Sequence, residues 1–378
     1  MAGNLSESFA TTRPQYGSGS LAELLPSAVA AVGGPGWDNV LGLPPMDSCV
    51  VFLVDGLGDK LLRAHAAEAP YLAGLLGDTL TSGVPSTTAT SLTSLGTGLP
   101  PGAHGVVGFT SRIPGTDRLL EALRWDKHID PRVWQSHDTA FGRARESGIE
   151  ATVVSKRMFQ GTGLTEASQR GAVYVGADTV GERISGAVRA ATDSRSITYL
   201  YEGELDATGH RRGCGSWAWK HQLAMIDSFA ARLREALPDH AGLIVTGDHG
   251  MVDVDEHGRI DVDEEPELMR GVSLFGGEAR FRHLYCDNGA VEDVAARWAE
   301  RLGDDGIVLT RDQAIDEGWF GAVASEVRPR LGDVMVASIG DRAVVSTSRF
   351  PYEATLVGLH GSLTDDEMLV PLLVDASA

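Results

Sequence analysis

Cysteine is nearly absent from this chain: Cys49, Cys214 and Cys286 are widely spaced and form no CxxC pair. That argues against a disulfide framework or a thiolate-rich metal site, and it fits reduced thiols in a cytoplasm. Long apolar runs are missing as well. None reaches the ~18 residues needed to cross a bilayer, so no membrane partner is expected. The opening MAGNLSESFATTRPQYGSGS lacks a basic stretch followed by an apolar one, which speaks against a secretory signal and for a cytoplasmic location. Positive charge is scarce: 32 Lys and Arg stand against 52 Asp and Glu, a formal net charge of -20. Such a surface repels long nucleic acids and anionic membranes. Internal repeats and low-complexity tracts do not stand out.

What is present is a globular composition, with 43% hydrophobic and 22% charged residues in 378 positions. That length suffices for a large core plus a smaller inserted unit. The first ~45 residues are rich in Gly, Pro, Ser and Ala, with one amphipathic piece, SLAELLPSAVAAV, expected to pack on the core near the substrate rim. Short apolar runs follow at SCVVFLVDG, EATVVSK, AVYVG, SITYLYEG and GLIVTGD. Helical patterns lie between them, such as WAWKHQLAMIDSFAARLREAL with apolar positions three and four apart. Buried strands alternating with helices predict an α/β fold, a mostly parallel sheet with helices on both faces. From about residue 262 the texture changes to that of a compact α+β insert. We therefore expect a core of residues 1–262 and 351–378, with 263–350 inserted as a cap beside the site.

Six residues of the types that bind zinc lie at or just past predicted strand ends: Asp55, Asp206, His210, Asp248, His249 and His360. In open α/β sheets ligands bind beyond the carboxyl ends of strands, so Asp55 and the Asp248-His249 pair stand in a favourable place. Asp206 and His210 are four apart, one helical turn, and share a face if that segment is helical. Gly209 before His210 points to a close backbone approach. His360 sits among small and apolar neighbours, where a histidine is more often satisfied core than ligand. Each motif alone also fits a turn, a helix cap or a surface pair. Together, three carboxylates and three imidazoles suit a site for two divalent metal ions, most readily Zn2+, with Mn2+ an alternative. A hydroxyl completes the set in VPSTTATSLTSLGTGLPPGAHG. Thr88 lies where a helix should begin, and there its amide and the helix dipole could receive a phosphate oxygen. A nearby metal would make it an alkoxide nucleophile. Spacing alone does not choose between Thr88 and Thr87.

The ordered pieces VDGLG, PSTT, TGLPPGAHG, DATGH, GDHGM and LHGS resemble the type I phosphodiesterase/nucleotide pyrophosphatase family of the alkaline phosphatase superfamily. They run from residue 54 to about 362. The resemblance implies an alkaline-phosphatase-like core and a role for each matching residue. Asp206, His210 and His360 would hold one zinc, which activates the hydrolytic water. Asp55, Asp248 and His249 would hold the other together with Thr88, which falls on the family's nucleophile position. His104 matches a family position too and is assigned to structure.

The implied activity is metal-dependent hydrolysis of small phosphodiesters or nucleotide pyrophosphates through a phospho-threonine. A phosphomonoesterase, a phosphonate hydrolase or a phosphotransferase (mutase) would use the same site. A sulfatase is disfavoured, since no Cys or Ser in a C/S-x-P-x-R context holds the nucleophile position. One departure stands out. Relatives commonly carry an asparagine a few residues past the His-Gly, where its amide contacts a phosphate oxygen, but HGVVGFTSR has none. Thr110, Arg112 or Lys127 are the expected substitutes. Trp217, Trp219, Trp319 and Phe320 could stack on a base, although such side chains are commoner in cores. The oligomeric state is left open.

Overall fold

The computed structural model describes residues 11–193 and 195–376. The stretch read for a secretory signal therefore lies outside the described residues over positions 1–10. Six strands form the central sheet: β1 (Ser48–Val54), β2 (Glu150–Ser155), β3 (Val173–Gly176), β4 (Ser196–Glu202), β5 (Ala241–Thr246) and β10 (Leu373–Asp375). Their order is β10-β5-β1-β4-β2-β3. All pairings are parallel except that of β10 with β5. The expected mostly parallel sheet is thus present, with one antiparallel edge strand.

The apolar runs follow from two-sided burial. Every residue of β1 is buried, and alternate side chains serve different cores. Val50, Phe52 and Val54 pack on one face with Ala187 of helix α4 (Val180–Ala190) and Leu223, Ile226, Phe229 and Leu233 of α6 (Trp217–Ala236). Cys49, Val51 and Leu53 pack on the other face. Their partners there include Leu24 and Leu25 of α1 (Leu24–Ala31), Leu92 and Leu95 of α2 (Thr88–Thr97), and Phe141 of α3 (Ala140–Glu146). Each large side chain buried this way contributes roughly 1.5–3 kcal/mol. The amphipathic piece near the start thus packs on the core as expected; it does not line the main cavity.

A second sheet of four antiparallel strands falls within 263–350. It comprises β6 (Val272–Glu278), β7 (Phe281–Cys286), β8 (Gly306–Thr310) and β9 (Val334–Ser338), in the order β6-β7-β9-β8. Helix α7 (Val291–Leu302) buries Val294, Trp298 and Leu302 against it. The β6–β7 hairpin turns through Ala279 and Arg280. Arg280 is wholly buried and makes a two-pronged ion pair with Glu367, at 2.7 Å for each contact. Glu367 also accepts from the Ser362 amide at 2.9 Å, so the hairpin tip is fixed to the segment just after His360.

Candidate active site

The three central strands deliver the acidic residues to one place. In the register of the sheet, Val54 lies opposite Glu202, and Leu53 opposite Thr246. Asp55, Asp206 and Asp248 therefore leave neighbouring strands on the same edge. Gly56, in the left-handed region at φ 75°, turns the chain directly after Asp55. A Cβ there would come within 3.1 Å of the Asp206 backbone, so only glycine lets these two loops meet so closely. Asp206 and His210 share one face of helix α5 (Glu204–Arg212), as the four-residue spacing predicts, with His210 Nε2 3.4 Å from Asp206 Oδ2. A Cβ at Gly209 would collide with Met251 Sδ at 2.4 Å, which is the expected close approach. His360 arrives from the far end of the chain because Gly358–Leu359 pairs with Val252–Asp253, just past His249.

All seven residues singled out from the sequence lie together. His249 Nε2 is 3.4 Å from Asp55 Oδ1 and 3.6 Å from Asp248 Oδ2. His360 Nε2 is 3.8 Å from Asp206 Oδ1. The His249 and His360 rings stack at 3.6 Å between centroids, and His210 and His360 stand 5.1 Å apart. Thr88 opens helix α2, with the extended Thr87 before it as the cap residue. Its hydroxyl lies 3.2 Å from His249 Nε2 and 3.4 and 3.5 Å from the two Asp55 oxygens.

The histidines share one arrangement. His210 Nδ1 contacts the Gly358 carbonyl at 2.7 Å, His249 Nδ1 that of Gly250 at 2.8 Å, and His360 Nδ1 that of Ser86 at 2.9 Å. A carbonyl oxygen only accepts, so each Nδ1 carries the hydrogen and each Nε2 keeps its lone pair, aimed at the carboxylates. The donor set therefore fits divalent cations. Asp206, His210 and His360 converge as one group; Asp55, His249 and Asp206 converge as another, with Asp206 common to both. Asp248 stands beside the second group and accepts from the amides of Gly56 and His249. Asp206 Oδ1 and Asp248 Oδ2 are enclosed without a hydrogen-bond partner, which is the condition of atoms that bind a cation.

Electrostatics agree. Burial, and then the charges of Asp248 and Asp206, push Asp55 well above the usual carboxylate range. Burial also raises Asp248. Burial, then neighbouring His249 and His210, hold His360 well below the usual imidazole value. Three carboxylates so close are stable as anions only beside positive charge.

Several expectations need correcting. Thr110 and Lys127 do not line the cavity: the Thr110 hydroxyl is donated to the Gly277 carbonyl at 2.8 Å, and Lys127 is exposed elsewhere. Arg112 Nε is donated to the Thr116 carbonyl. Trp219, Trp319 and Phe320 are core residues, and Trp217 is exposed away from the cavity. His104 is structural, as assigned. Its Nδ1 accepts from the Val106 amide, its Nε2 bonds Ser94 Oγ at 3.0 Å, and burial lowers its pKa to about 3.

The cavity beside Thr88 has a volume of about 550 Å³. Its walls include Phe109, Phe159, Tyr201, Phe350 and Tyr352, none of which the motifs marked. Tyr201 donates a short hydrogen bond to Asp55 Oδ2. Glu278, from the β6–β7 hairpin, also faces this space. Its only advance sign was membership of an insert flanked by ligand motifs.

The family model for type I phosphodiesterase / nucleotide pyrophosphatase matches residues 49–363. The chain belongs to this family. Solved structures similar to it are those of murine and human ectonucleotide pyrophosphatase / phosphodiesterase 5 (ENPP5). The murine protein shares 17% identity at a TM-score of 0.66, with 87% of this chain and 88% of that one covered. An inactive murine threonine-to-alanine variant in complex with AMP, and the human protein, each share 16% identity at a TM-score of 0.67, with the same coverage. At these identities the likeness is one of fold. No curated protein sequence matches. The phosphodiesterase/nucleotide pyrophosphatase hydrolases are metal-dependent, and this chain carries candidate Asp/His clusters where such ions would bind. Among the described residues no helix is long and apolar enough to cross a membrane.

Proposed function

We propose that the chain hydrolyses small phosphodiesters or nucleotide pyrophosphates by way of a phospho-threonine on Thr88. The observation that carries this reading is the Thr88 hydroxyl at the head of α2, within 3.5 Å of both Asp55 and His249. Asp206, His210 and His360 would hold one divalent ion, and Asp55, Asp248 and His249 with Thr88 the other; zinc suits these ligands best. Ions bound there supply the positive charge that lowers the hydroxyl pKa and balances the phosphoryl oxygens.

Thr88 Oγ1 attacks phosphorus in line as the bond to the leaving oxygen breaks, and the hydroxyl proton passes to solvent, from which the departing alkoxide takes one up to leave as the alcohol. Water then attacks from the opposite side and Thr88 departs. The amides at the start of α2 and its dipole favour the phosphoryl oxygens throughout. Residues 263–350 act as a cap, since Glu278, Ala279, Arg349 and Phe350 border the cavity. A small nucleotide substrate agrees with AMP bound to the murine variant. The charge of -20 argues against polynucleotides. The ectonucleotide names of the solved relatives lend the cytoplasmic reading no support.

The test combines metal analysis with turnover of a bis-aryl phosphate, a mono-aryl phosphate and a dinucleotide. Thr88→Ala is expected to keep its metals and lose turnover roughly a thousandfold or more. Thr87→Ala should stay active; if it were the inactive one instead, the nucleophile would be misassigned.

A further inference from the structure

Glu278 is the one buried carboxylate of this cavity that belongs to neither ligand group. It ends strand β6 at the tip of the hairpin pinned by Arg280 to Glu367. Two contacts locate it. On one side it shares the cavity wall with Thr87, whose hydroxyl favours its charged form, and Thr87 immediately precedes Thr88. On the other side its Cγ lies so close to Gly361 that a Cβ there would meet it at 2.8 Å, and Gly361 immediately follows His360. Glu278 thus faces the same cavity as Thr88 and His360, beside the residues that flank them in the chain. One oxygen, Oε1, is enclosed and has no hydrogen-bond partner. Among the described residues no arginine hydrogen bond or ion pair reaches it: Arg282 on the next strand bonds Glu353 and the Val344 carbonyl, and acts on Glu278 only through its charge.

Resting on the phosphodiesterase reading, we propose that Glu278 is a specificity-determining residue that filters substrates by phosphoryl charge. Its carboxylate opposes a second negative charge on the transferred phosphoryl group. A diester presents one such charge and is admitted; a monoester presents two and is disfavoured. Burial above all, opposed by Thr87, aided by Glu353 and opposed by Arg282 and the Phe109 backbone, leaves the pKa of Glu278 raised to about 8. Above that pH the group is charged, and divalent ions nearby would extend the charged range downward. A filter of this kind works by repulsion of the wrong substrate, not by attraction of the right one.

The experiment compares the zinc-loaded protein with Glu278→Gln, Glu278→Ala and Glu278→Asp at pH 9. The readouts are kcat/KM for bis(4-nitrophenyl) phosphate and 4-nitrophenyl phosphate, with thermal midpoints to check folding. In the Thr88→Ala background, calorimetry measures binding of phenylphosphonate and of its monomethyl ester. Gln and Ala are expected to shift the diester-to-monoester ratio at least about tenfold toward the monoester, and to tighten phenylphosphonate selectively. Asp should keep most of the diester preference. A merely structural role would lower both substrates together and leave the ratio unchanged, which would overturn the proposal. Should Gln fail to fold, Ala and the binding arm decide. A natural protein inactive on every phosphate ester would instead overturn the phosphodiesterase reading, and this inference with it.

Discussion

The two halves of the site differ in how far they are sunk into the protein. The side chains of Asp248 and His249 are 0% exposed and that of Asp55 only 4%. Those of Asp206 and His210 are 14% and 21% exposed, and that of His360 is 9%. The buried half stands on the ends of the adjacent strands β5 and β1, beside the Thr88 hydroxyl. The open half stands on helix α5 and a returning C-terminal loop, and it borders the cavity. On the proposed mechanism, the difference suits the buried cluster to activating a protein oxygen and the open one to handling a solvent oxygen.

The sharpest way to break this comparison is to remove a ligand from the open half. His210→Ala is expected to slow hydrolysis of the phospho-threonine more than its formation. A stopped-flow burst on a bis-aryl phosphate, with phosphorylated Thr88 detected by mass spectrometry and steady-state turnover down roughly a hundredfold, would meet that expectation. Loss of the burst together with the steady rate would show that the halves do not divide the labour.

A second test sharpens the buried half. Asp55 and Asp248 have pKa values raised by burial, so the folded, metal-free protein holds protons that the unfolded chain has lost. Their contribution to stability is fully present below the ordinary carboxylate value of 3.8 and is lost as pH rises through their folded values. Chelated protein should therefore show a falling thermal midpoint as pH is raised above that value. Added zinc should restore the midpoint most at the upper end, because it supplies the missing positive charge. A midpoint that rises with pH in the chelated protein would refute the sign. The smallest expected effect concerns a residue outside both halves: Lys127→Ala should leave kcat/KM within about twofold, checked on the same diester.

Much of this arrangement was legible because the chain punctuates its strands with the reacting groups. An apolar run ending in Asp-Gly or Asp-His must lie at the carboxyl edge of a parallel sheet, and Asp206 with His210 needed only one helical turn to share a face. The choice of Thr88 over Thr87 was not contained in spacing. It came from the resemblance, in which Thr88 falls on the family's nucleophile position; in the fold Thr88 opens the helix and Thr87 is the extended residue before it. The substrate wall was not legible at all. Phe109, Tyr201, Phe350 and Glu278 come from loops and strands remote in sequence, and no periodicity marks which face of a strand will meet a cavity. Thr110 and Lys127 illustrate the converse. Their chemistry suited a phosphate, but one hydroxyl satisfies the Gly277 carbonyl and the other side chain is exposed away from the cavity.

All three imidazoles are oriented by main-chain carbonyls, at Gly250, Gly358 and Ser86. An acceptor supplied by the peptide backbone cannot be deleted by exchanging a side chain. Ring orientation is therefore inherited with the path of the chain, and the surrounding residues are free to drift without turning a nitrogen away from its target. Retuning such a centre by substitution would have to proceed through its acids and its walls.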